Sequence, residues 1–468
     1  MSKYGFGEGA QFNFSYAPGT SQQQMIGFEM AGELWSQYLN DDVTINIHVE
    51  VTDLLPENVI GGALPGMKKD VKYDKVFKEL SQDITSWDDW HAVSNLTGDK
   101  EFYASLNGQA VDKLKDMKLT NANLKALDLL DGDKEKLDGY ILMSDLSGQS
   151  NVNWEYDASR NSRIDNDELD FLSVAVHEVG HVLGFTSGLD DGEWLNVVTE
   201  AQQKGEGVKG DKMKFMTPLD LFRYSGNRRN ELSLGQDSYF SIDGGRTNLG
   251  NFSTGEYQNL GGDGYQASHW QHNGQDVLGI MDPVLKLGVR REISALDRTA
   301  MDVTGWDVAN PGQLDWRDMY SDAVENAQNA YIGDRDKDVE EMIKDSNNYK
   351  GRSSKRGSNY RRQEGFWQNI KFQTLDNVVV EVPATVVLGE VFTLIDNSIS
   401  HTLPPAFSVQ SKDESEIDFG ELSPTITAAE AEMLTIEQEK TVVETTSVDL
   451  FAMNQLTGQN LEEIASLL

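Results

Sequence analysis

The residues with the clearest chemical potential are in His-Glu-Val-Gly-His-Val-Leu-Gly-Phe, His177 to Phe185. In an α-helix, positions four apart share a face, so His177 and His181 can aim imidazole nitrogens at one metal ion. Glu178 then sits beside that ion, close enough to hold a water. This arrangement suits metal-assisted hydrolysis. Two neutral imidazoles anchor zinc, a third ligand completes the protein's share, and an open position takes a water whose pKa falls towards neutrality. Glu178 has the role of general base, taking that water's proton and passing it to the leaving group.

Such a motif must be carried on a helix. Phe171, Leu172, Val174, Ala175, Val176, Val179, Val182 and Leu183 give the apolar content of a buried one. Asp165 and Glu168 read as a capping-box start, and Gly184 as the stop. Upstream, residues 21 to 39 read as an amphipathic helix capped by Ser21, with Met25, Phe28, Trp35 and Leu39 near helical spacing. Val43 to Val51 alternates as a strand, which places His48 on a polar, solvent-facing side. Residues 70 to 135 read as mostly helical, with His91 as a structural residue. Tyr140 to Met143 reads as a buried strand. The order predicts an α+β catalytic unit with the histidine helix packed on a sheet.

Two imidazoles leave a zinc site incomplete. Ser187, three residues after the glycine, is a poor ligand. The better candidate is His269 in Ala267-Ser268-His269-Trp270, followed twelve residues later by Met281 in Gly279-Ile280-Met281-Asp282-Pro283. His272, in a polar turn, competes with His269. Asp190 and Asp191 lie in a Gly-, Asp- and Asn-rich stretch and make calcium a candidate second cation, although no twelve-residue calcium loop occurs.

The ordered set His-Glu-x-x-His-x-Leu-Gly-Phe, Ser-His-Trp and Met-x-Pro resembles the leishmanolysin-like metzincin metalloproteases, over about residues 165 to 306. The resemblance implies a twisted sheet, a zinc-binding active-site helix and a Met-turn. It further implies His177, His181 and His269 as zinc ligands, Glu178 as general base, Met281 as the turn methionine, and an insertion at about 188 to 264 displacing the third histidine. The disulfides of that family have no counterpart, because the chain contains no cysteine.

Composition bounds the rest. A formal net charge of -37 and a pI near 4.4 argue against nucleic-acid or anionic-membrane partners and favour solubility and divalent cations, while the hydrolytic site makes a protein or peptide the expected substrate. No apolar run is long enough to span a membrane, and no amino-terminal signal pattern is present. The expected location is therefore extracellular by a route that reads no such signal, with a cytoplasmic one as the alternative. Ser294 and Asp297 form a capping box for a helix to Val303, ended by Gly305, and the catalytic unit is expected to span residues 1 to 310. Residues 311 to 365 read as a charged helical segment and the basic linker Lys350 to Arg362. Residues 366 to 468 read as an acidic C-terminal region with some β content, notably Val378 to Ile395, and a terminal amphipathic piece from Leu461 to Leu468.

The expected function is zinc-dependent endopeptidase. The alternatives are a non-catalytic surface or binding protein with a structural metal site, and a zinc hydrolase acting on a non-peptide amide.

Overall fold

The computed structural model describes residues 9–347, apart from 54, 57, 97–99, 133–135, 148, 150, 195, 199–206 and 275, together with residues 371–375. The basic linker at 350–362, the β-rich stretch at 378–395 and the terminal piece at 461–468 lie outside the described residues.

The chain is mixed α+β, built on a seven-stranded sheet. In spatial order the strands are Val284–Leu285, Lys371–Leu375, Val59–Pro65, Gly139–Ser144, Thr44–Thr52, Gln11–Tyr16 and Tyr331–Ile332. Val59–Pro65 runs antiparallel to both of its neighbours, and the other pairings are parallel. Because the inner strands have a neighbour on each side and a covered face, they carry long apolar runs, as in Tyr140-Ile141-Leu142-Met143.

Thr44–Thr52 is a strand as expected, yet Ile45 to Val49 are all buried and His48 does not face solvent. It is buried, with Nδ1 3.0 Å from Ser15 Oγ and its ring stacked on Tyr140. The strand is interior to the sheet, and Arg335 and Asp334 lie close enough on its second face to act on the imidazole. Burial, with Arg335, lowers the His48 pKa to about 4.

Residues 70 to 135 also differ from the helical expectation. Helices Tyr73–Gln82, Trp87–Asn95 and Asn121–Ala126 are interleaved with two antiparallel pairs: Met67–Lys72 with Asp116–Thr120, remote in the chain, and the hairpin Phe102–Leu106 with Gln109–Leu114. Asn107 and Gly108 take positive φ, 50° and 76°, which is the two-residue turn that matches strand twist. Phe102 and Ala104 are buried on either side of exposed Tyr103.

Helix Gln22–Ser36 starts at the expected Ser21 cap, which forms a capping box with Gln24. It packs against helix Phe171–Leu183: Trp35 Nε1 donates to Val176 O at 3.0 Å, and Phe28 meets Phe171 edge-on. Charged helices Trp316–Asn329 and Asp336–Asn347 follow helix Ala295–Asp302, the first packing through Met319, Ala323 and Ala327. No helix among the described residues is long and apolar enough to cross a membrane.

Candidate metal centre

Helix Phe171–Leu183 is buried along its whole length. Its start is not the Asp165/Glu168 pair. Glu168 accepts from the Asp165 amide, but Glu168–Asp170 is a short strand paired in parallel with Asn153–Glu155. Asp170 is the N-cap, accepting from Ser173 N at 3.0 Å, and its buried carboxylate is balanced by Arg160 at 3.2 Å. A cap with its own cation lets the helix begin inside the core, where a solvated Asp165 has no means of satisfying the first-turn amides.

The helix ends at Gly184, with φ 126°, and a Cβ there would fall 2.1 Å from Asn123 Oδ1. Both the backbone angle and the contact demand glycine. The reversal returns Phe185 O to within 2.7 Å of His181 Nδ1.

The three expected histidines converge. His181 Nε2 lies 3.1 Å from His177 Nε2 and 3.1 Å from His269 Nε2, and the third edge is 3.3 Å. A tetrahedral zinc with Zn–N of about 2.0–2.1 Å separates its nitrogens by roughly 3.3–3.4 Å, so the triangle has the required size. On the opposite side of each ring a backbone carbonyl fixes the tautomer. His177 Nδ1 meets Ile280 O at 2.7 Å, His181 Nδ1 meets Phe185 O, and His269 Nδ1 meets Gln266 O at 3.0 Å. With each Nδ1–H donated outward, three Nε2 lone pairs face one another with no proton between them. A cation is the partner that such a set fits. Burial lowers the pKa of all three, that of His269 to about 4, and keeps them in the neutral ligand form. Among the described residues, this is the group of three or more metal-ligating side chains close enough to share an ion.

Glu178 is fully buried beside this triangle, and neither carboxylate oxygen has a hydrogen-bond partner. Desolvation raises its pKa well above the usual carboxylate range. The space it occupies exists because position 61 is glycine: a Cβ at Gly61 would come within 2.7 Å of Glu178 Oε1.

Met281 lies in a turn beneath the helix. A Cβ on Gly180, one residue before His181, would sit 2.5 Å from Met281 Sδ, so the thioether packs directly under the histidine pair. Asp297 holds this turn. It accepts from Ile280 N and Trp270 Nε1, both at 2.8 Å, while capping its own helix, Ala295–Asp302, through Ser294 N at 2.7 Å. The capping role is legible in the sequence; the contacts to residues 270 and 280 are not, because they join segments remote in the chain.

His272 takes no part in the centre: its Nδ1 is 3.0 Å from Asp282 Oδ1. Nor do Asp190 and Asp191 form a calcium cage, because they serve different partners. Asp191 pairs with Lys118 at 2.7 Å. Asp190 accepts from Ala267 N at 2.7 Å, from Ser268 N at 2.9 Å and from the Ser268 hydroxyl, which sets the backbone that presents His269.

Side chains of the segment at 188 to 264 thus hold the backbone that presents the third histidine. Arg223, buried, donates to Ala267 O at 2.6 Å and to Ser253 O at 3.2 Å, and stacks 4.1 Å over Phe252. Asp220 accepts from Ser187 Oγ at 2.6 Å and Gly188 N at 2.8 Å, tying the end of the helix turn to the same frame. The one signal for these residues in the sequence is a charged pair inside the apolar run Leu219-Asp220-Leu221-Phe222-Arg223.

No protein-family model, curated protein or solved structure matches the chain.

Proposed function

We propose that the chain is a zinc-dependent endopeptidase of metzincin type. The observation that carries this reading is the pairing of three proton-free Nε2 atoms, 3.1–3.3 Å apart, with a buried Glu178 whose oxygens have no protein partner. A structural metal site has no use for the second feature. His177, His181 and His269 would hold the ion, which when bound polarises a carbonyl and acidifies a water. Glu178 takes the proton of the attacking water and returns it to the leaving amine. The carbonyls of Ile280, Phe185 and Gln266 hold the imidazoles in the ligand tautomer throughout, and Met281 and Asp297 fix the floor.

The test is hydrolysis of unfolded casein by the full chain and by Glu178→Gln at equal zinc occupancy, followed to long times. The expected result is a loss of about 10²–10⁴-fold in rate, the usual worth of a general base, with one zinc per chain retained. Equal cleavage by the two proteins contradicts the reading.

A further inference from the structure

One strand of the central sheet comes from far outside the catalytic stretch. Lys371–Leu375 pairs antiparallel with Val59–Pro65, placing Lys371 opposite Ala63, Phe372 opposite Gly62 and Gln373 opposite Gly61. On its other edge it runs parallel to Val284–Leu285, the segment that directly follows the Met281 turn, with Thr374 opposite Val284. Both walls of this slot belong to the metal centre: Gly61 abuts Glu178, and Val284 is three residues from Met281. Residues paired across an antiparallel ladder project to the same face. The Cβ direction at Gly61 points at Glu178 Oε1, so Gln373 lies on the Glu178 face. Its side chain is buried and its Oε1 has no partner. Lys371 is buried as well, with Nζ 3.3 Å from the Asp190 carboxylate that sets His269.

An extended peptide gains main-chain hydrogen bonds by adding to a sheet edge, and Val59–Pro65 is the edge beside Glu178 that a peptide must use to bring a carbonyl there. We propose that Lys371–Leu375 is an intramolecular inhibitory strand. It fills the slot between Val59–Pro65 and Val284–Leu285 as a peptide substrate would, and sets Gln373 against Glu178. Being tethered, it competes at an effective concentration of about millimolar, which slows turnover of a free substrate without abolishing it. Displacing it opens the centre. This inference rests on the protease reading, and the two fail in different ways.

The experiment uses the full chain. Gln373→Pro removes a ladder amide and is disfavoured in an inner strand, and Lys371→Ala removes the contact to Asp190. Zinc-loaded wild type and both variants are compared for casein cleavage and for hydrogen exchange at the Gly61–Ala63 amides. The expected result is a gain in cleavage of tenfold or more for Gln373→Pro and a smaller gain for Lys371→Ala, each accompanied by faster exchange. A synthetic peptide of residues 369–377, added in trans, restores slow exchange and suppresses cleavage. Should exchange quicken while the wild type already cleaves as fast as both variants, the strand is no inhibitor and the inference falls while the protease reading stands. If the strand leaves, zinc stays and nothing is cleaved, the protease reading falls and takes inhibition with it. Should neither variant alter exchange and the peptide leave cleavage unchanged, the slot is not a peptide site and the inference is overturned.

Discussion

Two carboxylates, Glu178 and Asp297, are both fully buried within the same centre, and the protein treats them in opposite ways. Asp297 gathers the indole of Trp270, the amides of Ile280 and Ser294 and, at 3.4 Å, that of Met281; these donors offset part of the burial cost that still raises its pKa, and they lock the floor. Glu178 has no protein partner, and burial of a bare polar group costs roughly 2–7 kcal/mol depending on the reference state. A core that satisfies one acid so fully and leaves the other without a donor separates scaffold from chemistry. Asp297 fixes where residues sit, whereas on the proposed reading Glu178 keeps its oxygens for a water.

The sharpest way to break this contrast is to alter each acid in turn. Glu178→Gln is expected to lower the hydrolysis rate by about 10²–10⁴-fold while leaving the melting temperature unchanged or raised, because the amide leaves no more polar surface unpaired than the unpartnered carboxyl group it replaces. Asp297→Ala is expected to do the reverse to the fold, destabilising it by about 3 kcal/mol or more through several buried donors left unpaired, as read from denaturant unfolding. If the two substitutions produce the same loss of stability, the division between scaffold and chemistry is wrong.

A smaller effect tests the frame around His269. Asp220→Asn keeps volume but weakens the acceptor for Ser187 and Gly188, and is expected to cost about 1–2 kcal/mol and to lower zinc affinity without removing any ligand. Competitive titration with a chromogenic chelator reads that loss, and unchanged affinity would detach the 188–264 segment from the metal.

The mildest case lies between the two extremes. Asp41 and Asp83 lie near Asp307 and Asp128, Asp302 lies near Asp89 and Asp88, and burial reinforced by these neighbouring acids raises Asp41, Asp83 and Asp302 to about 7, 8 and 7. Their folded pKa values exceed their unfolded ones, so the native state binds more protons. The stability they contribute is present in full near pH 4 and falls as pH rises through 7 to 8. Melting curves between pH 5 and 8.5, taken on a metal-free chain to keep the ligands out of the comparison, should show stability decreasing towards the alkaline end. Asp83→Asn should flatten that decline.

The centre was more legible in the sequence than the fold around it, and the reason is physical. His177, Glu178 and His181 are tied by helical spacing, and Met281 and the Ser294/Asp297 cap lie in short local motifs. His269 required a span of 88 residues to be bridged, and the groups that bridge it, Asp190, Asp220 and Arg223, obey no local period. They act across chain segments through carboxylate-to-amide and guanidinium-to-carbonyl bonds. The same distinction explains the misread stretches. His48 lies on a strand as expected, but whether its face meets solvent depends on residues 334 and 335. The helical expectation for 70 to 135 passed over Asn107-Gly108, a hairpin signal that was present. The strand Lys371–Leu375 has no local marker of its partners, because its place is defined by the slot it enters.

The account's central claim is that His269 shares one ion with the helical pair. X-ray absorption at the zinc edge of the reconstituted full chain tests it most directly. The predicted result is one zinc per chain bound by three imidazole nitrogens at about 2.0–2.1 Å, falling to two in His269→Ala with a matching loss of affinity. A wild-type spectrum showing two imidazoles, or one that the His269→Ala substitution leaves unchanged, would contradict it.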